Sequence, residues 1–286
     1  MQELIDIINK KLDEYIPINY PEELFESMRY SVLAGGKRLR PVMCLETCRI
    51  FGGNIEDAMP AACAFEMLHT QSLIHDDLPC MDNDDYRRGK LTNHKKFSYS
   101  TAVLAGDALI SYGTQLIIEK SKLPSDVILK VLQQYSLAAG AYGIIAGQIV
   151  DIAMEGKPYD FKILEYIHTH KTADLFRGVL KSGAIIAGAN KEQLQAMDDF
   201  AQNLGVAFQI CDDILDETST YEEMGKTMGK DKAEGKLTYT ALFGIEKSRE
   251  KLNCLLDNAC DIMKEQNIKS EIFNNIINSI REKAEK

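Results

Sequence analysis

Apolar positions recur along most of this chain at the three- and four-residue spacing of a single helix face. Leu4, Ile5, Ile8, Leu12 and Tyr15 predict a first helix over residues 2–15, stopped by Pro17. Pro21 opens a second helix that runs through Leu33 and closes at Ala34-Gly35-Gly36. Lys37-Arg38-Leu39-Arg40-Pro41 follows, with Pro41 placed to start a third helix that ends at Gly52-Gly53. From Ile55 to Ile74 the chain is apolar and Ala-rich, as a buried helix requires, and Pro79 predicts its end or a kink. Residues 101–120, 126–154, 160–188 and 191–215 predict four more long helices. Gly140, Gly143, Gly147, Gly183 and Gly188 within them are read as close helix contacts and not as breaks. Residues 217–236, polar and rich in Gly and Lys, predict a loop with at most a short helix. The C-terminus returns to an amphipathic pattern, with Ile272, Phe273, Ile276, Ile277 and Ile280 on one stripe. No alternating β-branched run sits between hairpin signals, so no strand is predicted. With no linker or low-complexity tract to divide it, the expectation is one all-α domain over residues 1–286, a bundle of roughly ten or more helices.

Composition narrows the function classes. A formal net charge of −10 argues against a general binder of nucleic acid or of anionic membrane. The seven cysteines form no Cys-x-x-Cys pair, so neither a disulfide framework nor a zinc site is expected, and Cys44 and Cys48 are read as buried thiols. The N-terminus has no basic region followed by an apolar core, and Asp107 interrupts the best apolar run. These features predict a soluble, cytoplasmic protein without an integral membrane segment.

The chemistry is concentrated in two acidic runs. His75 to Gly89 holds five aspartates (Asp76, Asp77, Asp82, Asp84, Asp85) followed at once by Arg87 and Arg88. Far downstream, Asp212-Asp213-Ile214-Leu215-Asp216 repeats the theme. Both runs end apolar helices, where carboxylates are costly unless a cation meets them. A donor set of oxygens, without His or Cys, suits Mg2+, which keeps several waters and shares substrate phosphates. Asp212 and Asp216, four apart, share a helix face that can present carboxylates to an ion but cannot enclose it. Asp76 and Asp82 diverge on an ideal helix, so Pro79 is expected to break it and let Asp82 swing back. Lys37, Arg38 and Arg40 sit in a Gly-Gly turn before a helix, which favours an anion. Acidic runs are more often solvated faces, but apolar helices and basic neighbours favour a pocket that holds polyanions, one through metal and one directly.

Gly35-Gly36-Lys37-Arg38-Leu39-Arg40-Pro41, the aspartate run through Arg88-Gly89, Gly106-Asp107-Ala108-Leu109, Gly147-Gln148-x-x-Asp151, Lys171-Thr172 and Phe208-Gln209-x-x-Asp212-Asp213-x-x-Asp216 occur in this order. The ordered set resembles the trans-polyprenyl diphosphate synthase family. The four residues between Asp77 and Asp82 look like its bacterial short-chain branch, the farnesyl diphosphate synthases (geranyltranstransferases) and some geranylgeranyl diphosphate synthases. The resemblance implies a helical fold around a central cavity and a Mg2+-dependent 1′-4 condensation of isopentenyl diphosphate with an allylic diphosphate, giving farnesyl diphosphate, with geranylgeranyl diphosphate as the close alternative. It implies that Asp76, Asp82 and Asp212 hold a cluster of three Mg2+ ions on the allylic diphosphate. Arg87, Lys171, Thr172, Gln209 and Lys226 would line the allylic side, with Lys171 among the catalytic groups. Lys37, Arg40, His69 and Arg88 would hold isopentenyl diphosphate. A homodimer is implied as well.

Two positions depart from the family pattern. Thr240 stands where proline is common after Thr-Tyr, and Gln71, five residues before Asp76, is neither the aromatic that favours C15 nor the small residue that lets the chain reach C20. Tyr30, Phe65 and Leu68 are candidates to add bulk at that floor. A class I terpene cyclase would carry an Asn/Asp-x-x-Ser/Thr-x-x-x-Glu motif in place of the second aspartate run. A non-catalytic partner subunit would lose one run, and a purely structural protein predicts neither the motif order nor the adjacent arginines.

Overall fold

The computed structural model describes residues 1–158, 160–218, 236 and 238–285. Its axis is α4 (Ile55–Asp76), capped by the Asn54 side chain accepting from Glu56 N–H. Buried residues occur on every side of α4, so neighbours must surround it. Those neighbours are α3 (Leu39–Ile50), α6 (Tyr99–Lys120) and α10 (Asp174–Ile186), with α1 (Gln2–Tyr15) and α2 (Glu22–Val32) along the outside. The second long element, α11 (Lys191–Thr218), packs on α10 and on the two C-terminal helices, α13 (Ile245–Glu265) and α14 (Glu271–Glu285). The predicted stripe Ile272, Phe273, Ile276, Ile277 and Ile280 is buried in that contact. Four-residue α5 (Asn93–Lys96) and five-residue α12 (Tyr239–Phe243) complete the set with α7 to α9 below. Cys44, Cys48, Cys63 and Cys211 are free, buried thiols, and one buried apolar cluster extends from Ile8 to Ala284.

Three expectations need correction. The 126–154 segment is two helices, α7 (Ser125–Ala139) and α8 (Ile144–Met154). Gly140 and Gly143 make the break: a Cβ on Gly143 would lie 2.3 Å from the Ala138 carbonyl oxygen. Gly147 and Gly183 are close contacts as expected, against Lys171 and Cys44 backbone, whereas Gly188 ends α10 at φ +77° with nothing near it. The 160–188 segment runs as α9 (Phe161–Ile167), one π-helical turn (His168–Ala173) and α10, the turn displacing residues 168–173 from ordinary helical register. Finally, the chain does contain strands: β1 (Tyr86–Arg87) and β2 (Lys90–Leu91) form a hairpin turned by Arg88 and Gly89, both with positive φ.

The apolar outer surface also departs from expectation. Tyr99–Lys120 is long and apolar enough, by length and composition, to cross a membrane, and the equally apolar stretch Ser125–Met154 is broken into α7 and α8. Their inner faces pack against α4 and α10, while Leu104, Ile118, Leu129 and Ile149 face outward.

Candidate active site

The ends of α4 and α11, the π turn, α8 and the loop before α3 enclose a cavity of about 830 Å³. Asp76, the last residue of α4, lines it, as do Asp212, Lys171, Thr172, Gln209, Arg87 and Gln71. The cationic set Lys37, Arg40, His69 and Arg88 lines it too. Sequence positions more than 170 residues apart therefore meet around one space, as the two-motif reading requires. Lys226 lies outside the described residues.

The break after α4 works as expected. Past the Asp77 cap the chain folds back, with Asp82 N–H donating to the Asp76 carbonyl at 2.8 Å and Asn83 N–H to the Leu78 carbonyl at 3.1 Å. Asp82 is not part of the cavity wall, but its carboxylate meets Lys236 at 3.2 Å. Burial raises the Asp76 carboxyl above its ordinary range; Lys171 opposes that shift and Asp82 adds to it. Adjacent Asp77 points elsewhere, accepting from Arg87 Nε at 2.7 Å, and burial pushes it up to about 6 against the pull of Arg87.

The second motif divides in the same way. Asp212 faces the cavity, and Asp213 is buried behind it. Asp213 accepts from Gln209 Nε2 at 3.1 Å and Tyr239 N–H at 2.8 Å, with His168 Nε2 at 3.3 Å. Thr172 donates its hydroxyl to Gln209 Oε1 at 2.7 Å, so the Gln209 amide is fixed between Thr172 and Asp213. His170 instead meets Asp174, so the two histidines of the π turn serve different carboxylates. Lys171 forms an ion pair with Asp151 of α8. Burial opposes its charge, but Asp151 and Asp76 more than offset that and hold its pKa above the ordinary value. Gly147 permits the approach: a Cβ there would lie 2.1 Å from the Lys171 amide nitrogen.

The basic side is built on a strained turn. Gly35, Gly36 and Arg38 all have positive φ. Arg38 turns inward and is fully engaged, with Nε to Asn9, a 2.7 Å pair with Glu66 and a bond to the Val32 carbonyl. Arg88, at the hairpin tip, donates to the Gly35 carbonyl, and a Cβ on Gly36 would meet its guanidinium at 2.8 Å. Arg40 lies 5.1 Å from the Phe176 ring, and burial draws its pKa down to about 10. Its buried Nε has no hydrogen-bond partner among the described residues, so it can take an anionic acceptor. Burial and the surrounding arginines keep the His69 pKa well below its ordinary value, so it is neutral at pH 7.

Sequence reasoning missed several groups. Asp77 and Asp213 are scaffold carboxylates, and Asp151, quoted in a motif, received no role. Lys236, a scattered single lysine like Lys171 and Lys226 in sequence, received no role, and Lys283 is a lone lysine without any local signal. Lys283, near the C-terminus, comes beside Lys37, and burial followed by that neighbour lowers its pKa. Among the described residues no three His, Cys, Asp or Glu groups converge closely enough to hold a metal by themselves.

The polyprenyl synthetase family model matches residues 21–276. A dimethylallyltranstransferase of Fischerella ambigua is 50% identical over 254 residues, covering 88% of this chain and 73% of that protein. A chloroplastic geranylgeranyl pyrophosphate synthase of Catharanthus roseus is 50% identical over 245 residues, covering 85% and 69%. The crystal structure of an FPP/GFPP synthase from Zymomonas mobilis aligns with a TM-score of 0.89 at 34% identity, over 98% of this chain and 97% of that one. A Helicobacter pylori geranyltransferase complexed with magnesium and isoprenyl diphosphate aligns at 0.84 and 30% identity, over 97% and 95%. With the family match spanning most of the chain, and Asp76 and Asp212 of the two acidic motifs on one cavity, the chain belongs to the polyprenyl synthetase family and is a prenyltransferase.

Proposed function

We propose that this prenyltransferase, which condenses isopentenyl diphosphate with an allylic diphosphate, uses Mg2+ and extends its product to geranylgeranyl diphosphate. The observation that carries the C20 reading is Gln71. Its Nε2 donates to His75 Nδ1 at 2.9 Å, and His75 Nε2 in turn meets the Val103 carbonyl at 3.1 Å. The side chain is thereby tied along its own helix and supplies no aromatic floor. Phe65 and Leu68 are fully buried in the core and Tyr30 lies outside the cavity wall, so none of the three adds bulk there. Apolar Ile110, Ile145, Ile149 and Ile152 continue the wall beyond Gln71. This reading places C20 ahead of the C15 product first expected, and geranylgeranyl synthases among the relatives support it.

The all-oxygen donor set fits magnesium: Asp76 and Asp212 at the cavity wall, with Asp82 from the first motif, would hold it. Held there with the allylic diphosphate, Mg2+ would supply charge neutralisation for the departing pyrophosphate. Lys171 and Arg87 add cationic contacts on the same side. Lys37, Arg40, His69 and Arg88 bind isopentenyl diphosphate; Arg40 Nε gains an acceptor and neutral His69 contributes a hydrogen bond. Ionisation leaves an allylic cation, toward which Thr172 and Gln209 present oxygen dipoles. The isopentenyl double bond attacks the cation, and the pyrophosphate takes the lost proton. Apolar walls exclude the water that would otherwise trap the cation as an alcohol.

The outward apolar face of α6 to α8 supports a homodimer, since Leu104, Leu129 and Ile149 are each at least 60% exposed and Ile149 also lines the cavity. Product analysis by mass spectrometry tests the main reading, using the purified chain, Mg2+, isopentenyl diphosphate and dimethylallyl or geranyl diphosphate. C20 is expected, and Gln71→Tyr is expected to shift the product to C15. A wild-type product that stops at C15 refutes the open-floor argument, and elongation undiminished in EDTA refutes the metal assignment.

A further inference from the structure

Lys236 is two residues from a short segment fastened to α11, and the fastening is unusual. Tyr239 N–H donates to Asp213 Oδ2 at 2.8 Å, and the Thr240 hydroxyl donates to Glu217 Oε1 at 2.7 Å. Asp213 and Glu217 are four apart, so they stack on one helix face, offset from the one that presents Asp212. The Thr238 hydroxyl joins the same group, 2.8 Å from that of Thr240, and caps α12 through Ala241 N–H. Thr240 is only 4% exposed, so its hydroxyl is committed to this contact. The fastened segment leaves Lys236 reaching across to Asp82 at 3.2 Å, with its side chain 13% exposed. The ammonium thus meets the loop of the first acidic motif from a segment that is fastened to the helix of the second.

We propose that Glu217 and Thr240 are a positioning pair that holds Lys236 over the diphosphate end of the cavity. Proline, the residue common at position 240 in the family pattern, has no hydroxyl for such a tie, so this chain fixes the segment by a side-chain bond of its own. The pair touches no reacting atom; it acts through Lys236. The inference rests on the prenyltransferase reading of the cavity but not on product length.

Steady-state kinetics of Thr240→Val, Thr240→Ser and Glu217→Ala, each made also in a Lys236→Ala background, test it. A net hydrogen bond of about 1 kcal/mol converts to roughly a fivefold effect. Thr240→Val and Glu217→Ala are expected to raise KM for geranyl diphosphate about fivefold and leave KM for isopentenyl diphosphate within about twofold. Thr240→Ser is expected to restore the wild-type value, and in Lys236→Ala the Thr240→Val change is expected to add less than about twofold. Equal effects on both substrates, full additivity with Lys236→Ala, or no effect of either variant overturns the proposal. Glu217 is exposed, so Glu217→Ala keeps the test available if the buried Thr240→Val variant fails to fold. A wild-type chain that elongates neither C5 nor C10 starter fails the underlying reading instead, before any variant is compared.

Discussion

Replacing Arg38 by Met tests how the basic side of the cavity is built. Arg38 and Glu66 are 1% and 2% exposed and 2.7 Å apart, and the guanidinium also bonds Asn9 and the Val32 carbonyl. Removing it strands a buried carboxylate, which costs about 3–5 kcal/mol. For a chain of this size, each kcal/mol moves the melting temperature by about 2–4 °C, so a fall of roughly 6–20 °C is expected. The turn also loses the anchor that holds residue 38 at φ 48° between Lys37 and Arg40. KM for isopentenyl diphosphate is therefore expected to rise about tenfold or more, and that for the allylic substrate to stay within about twofold. Adding Glu66→Leu removes the stranded charge and is expected to recover most of the melting temperature without recovering the isopentenyl KM. Calorimetry on the single and double variants, with paired substrate titrations, reads both effects. A single variant that melts within about 2 °C of wild type, or a double variant that recovers KM along with stability, refutes the anchoring argument.

Thr172→Val removes the donor that orients Gln209 and is expected to lower kcat about three- to tenfold with folding intact, as checked by single-turnover rates. Gly147→Ala forces a Cβ to within 2.1 Å of the Lys171 amide nitrogen and is expected to cut activity more than Gly188→Ala, which meets nothing, in the same assay. His69 is held neutral, with its folded pKa below its unfolded value. The stability this contributes is present above about pH 6.5 and is lost as pH falls toward the lowered value. His69→Gln is expected to flatten that part of the melting-temperature profile, and an unchanged slope counts against a buried neutral imidazole. Asp213→Asn is expected to lower the melting temperature and leave the Mg2+ midpoint of activity in place, whereas Asp212→Asn shifts the midpoint; equal midpoint shifts count against the division of labour between them.

Most helices were legible because their apolar stripes follow the helical period, and α4 and α11 because each closes on an acidic run. The break between α7 and α8 was not legible. Gly143 sits where a carbonyl lies too close for a side chain, but in sequence a contact glycine and a break glycine look alike. The hairpin was hidden for another reason: each strand is two residues long, and what forms it is the backbone of Arg88 and Gly89. Asp76, Asp212 and the arginine groups announced themselves by clustering. Lys236 reaches an aspartate 154 residues away, so nothing local could mark it.

Adjacent aspartates explain why each motif needs more scaffold than ligand chemistry alone suggests. Neighbouring residues on a helix point about 100° apart, so Asp76 and Asp77, or Asp212 and Asp213, cannot both face one cavity. One of each pair addresses the ligand, and the other must be neutralised inside the protein. Asp77 is met by Arg87, and that bond draws Arg87 toward the first motif at the cavity wall. Asp213 is met by Gln209, Tyr239 N–H and His168, and those bonds orient the amide beside Thr172 and fasten the segment that leads back to Lys236. The inward-turned carboxylates thus set the positions of cations and dipoles that their partners use. An acidic motif of this kind is a positional device as much as a charge, because burying its second aspartate fixes the groups that surround the first.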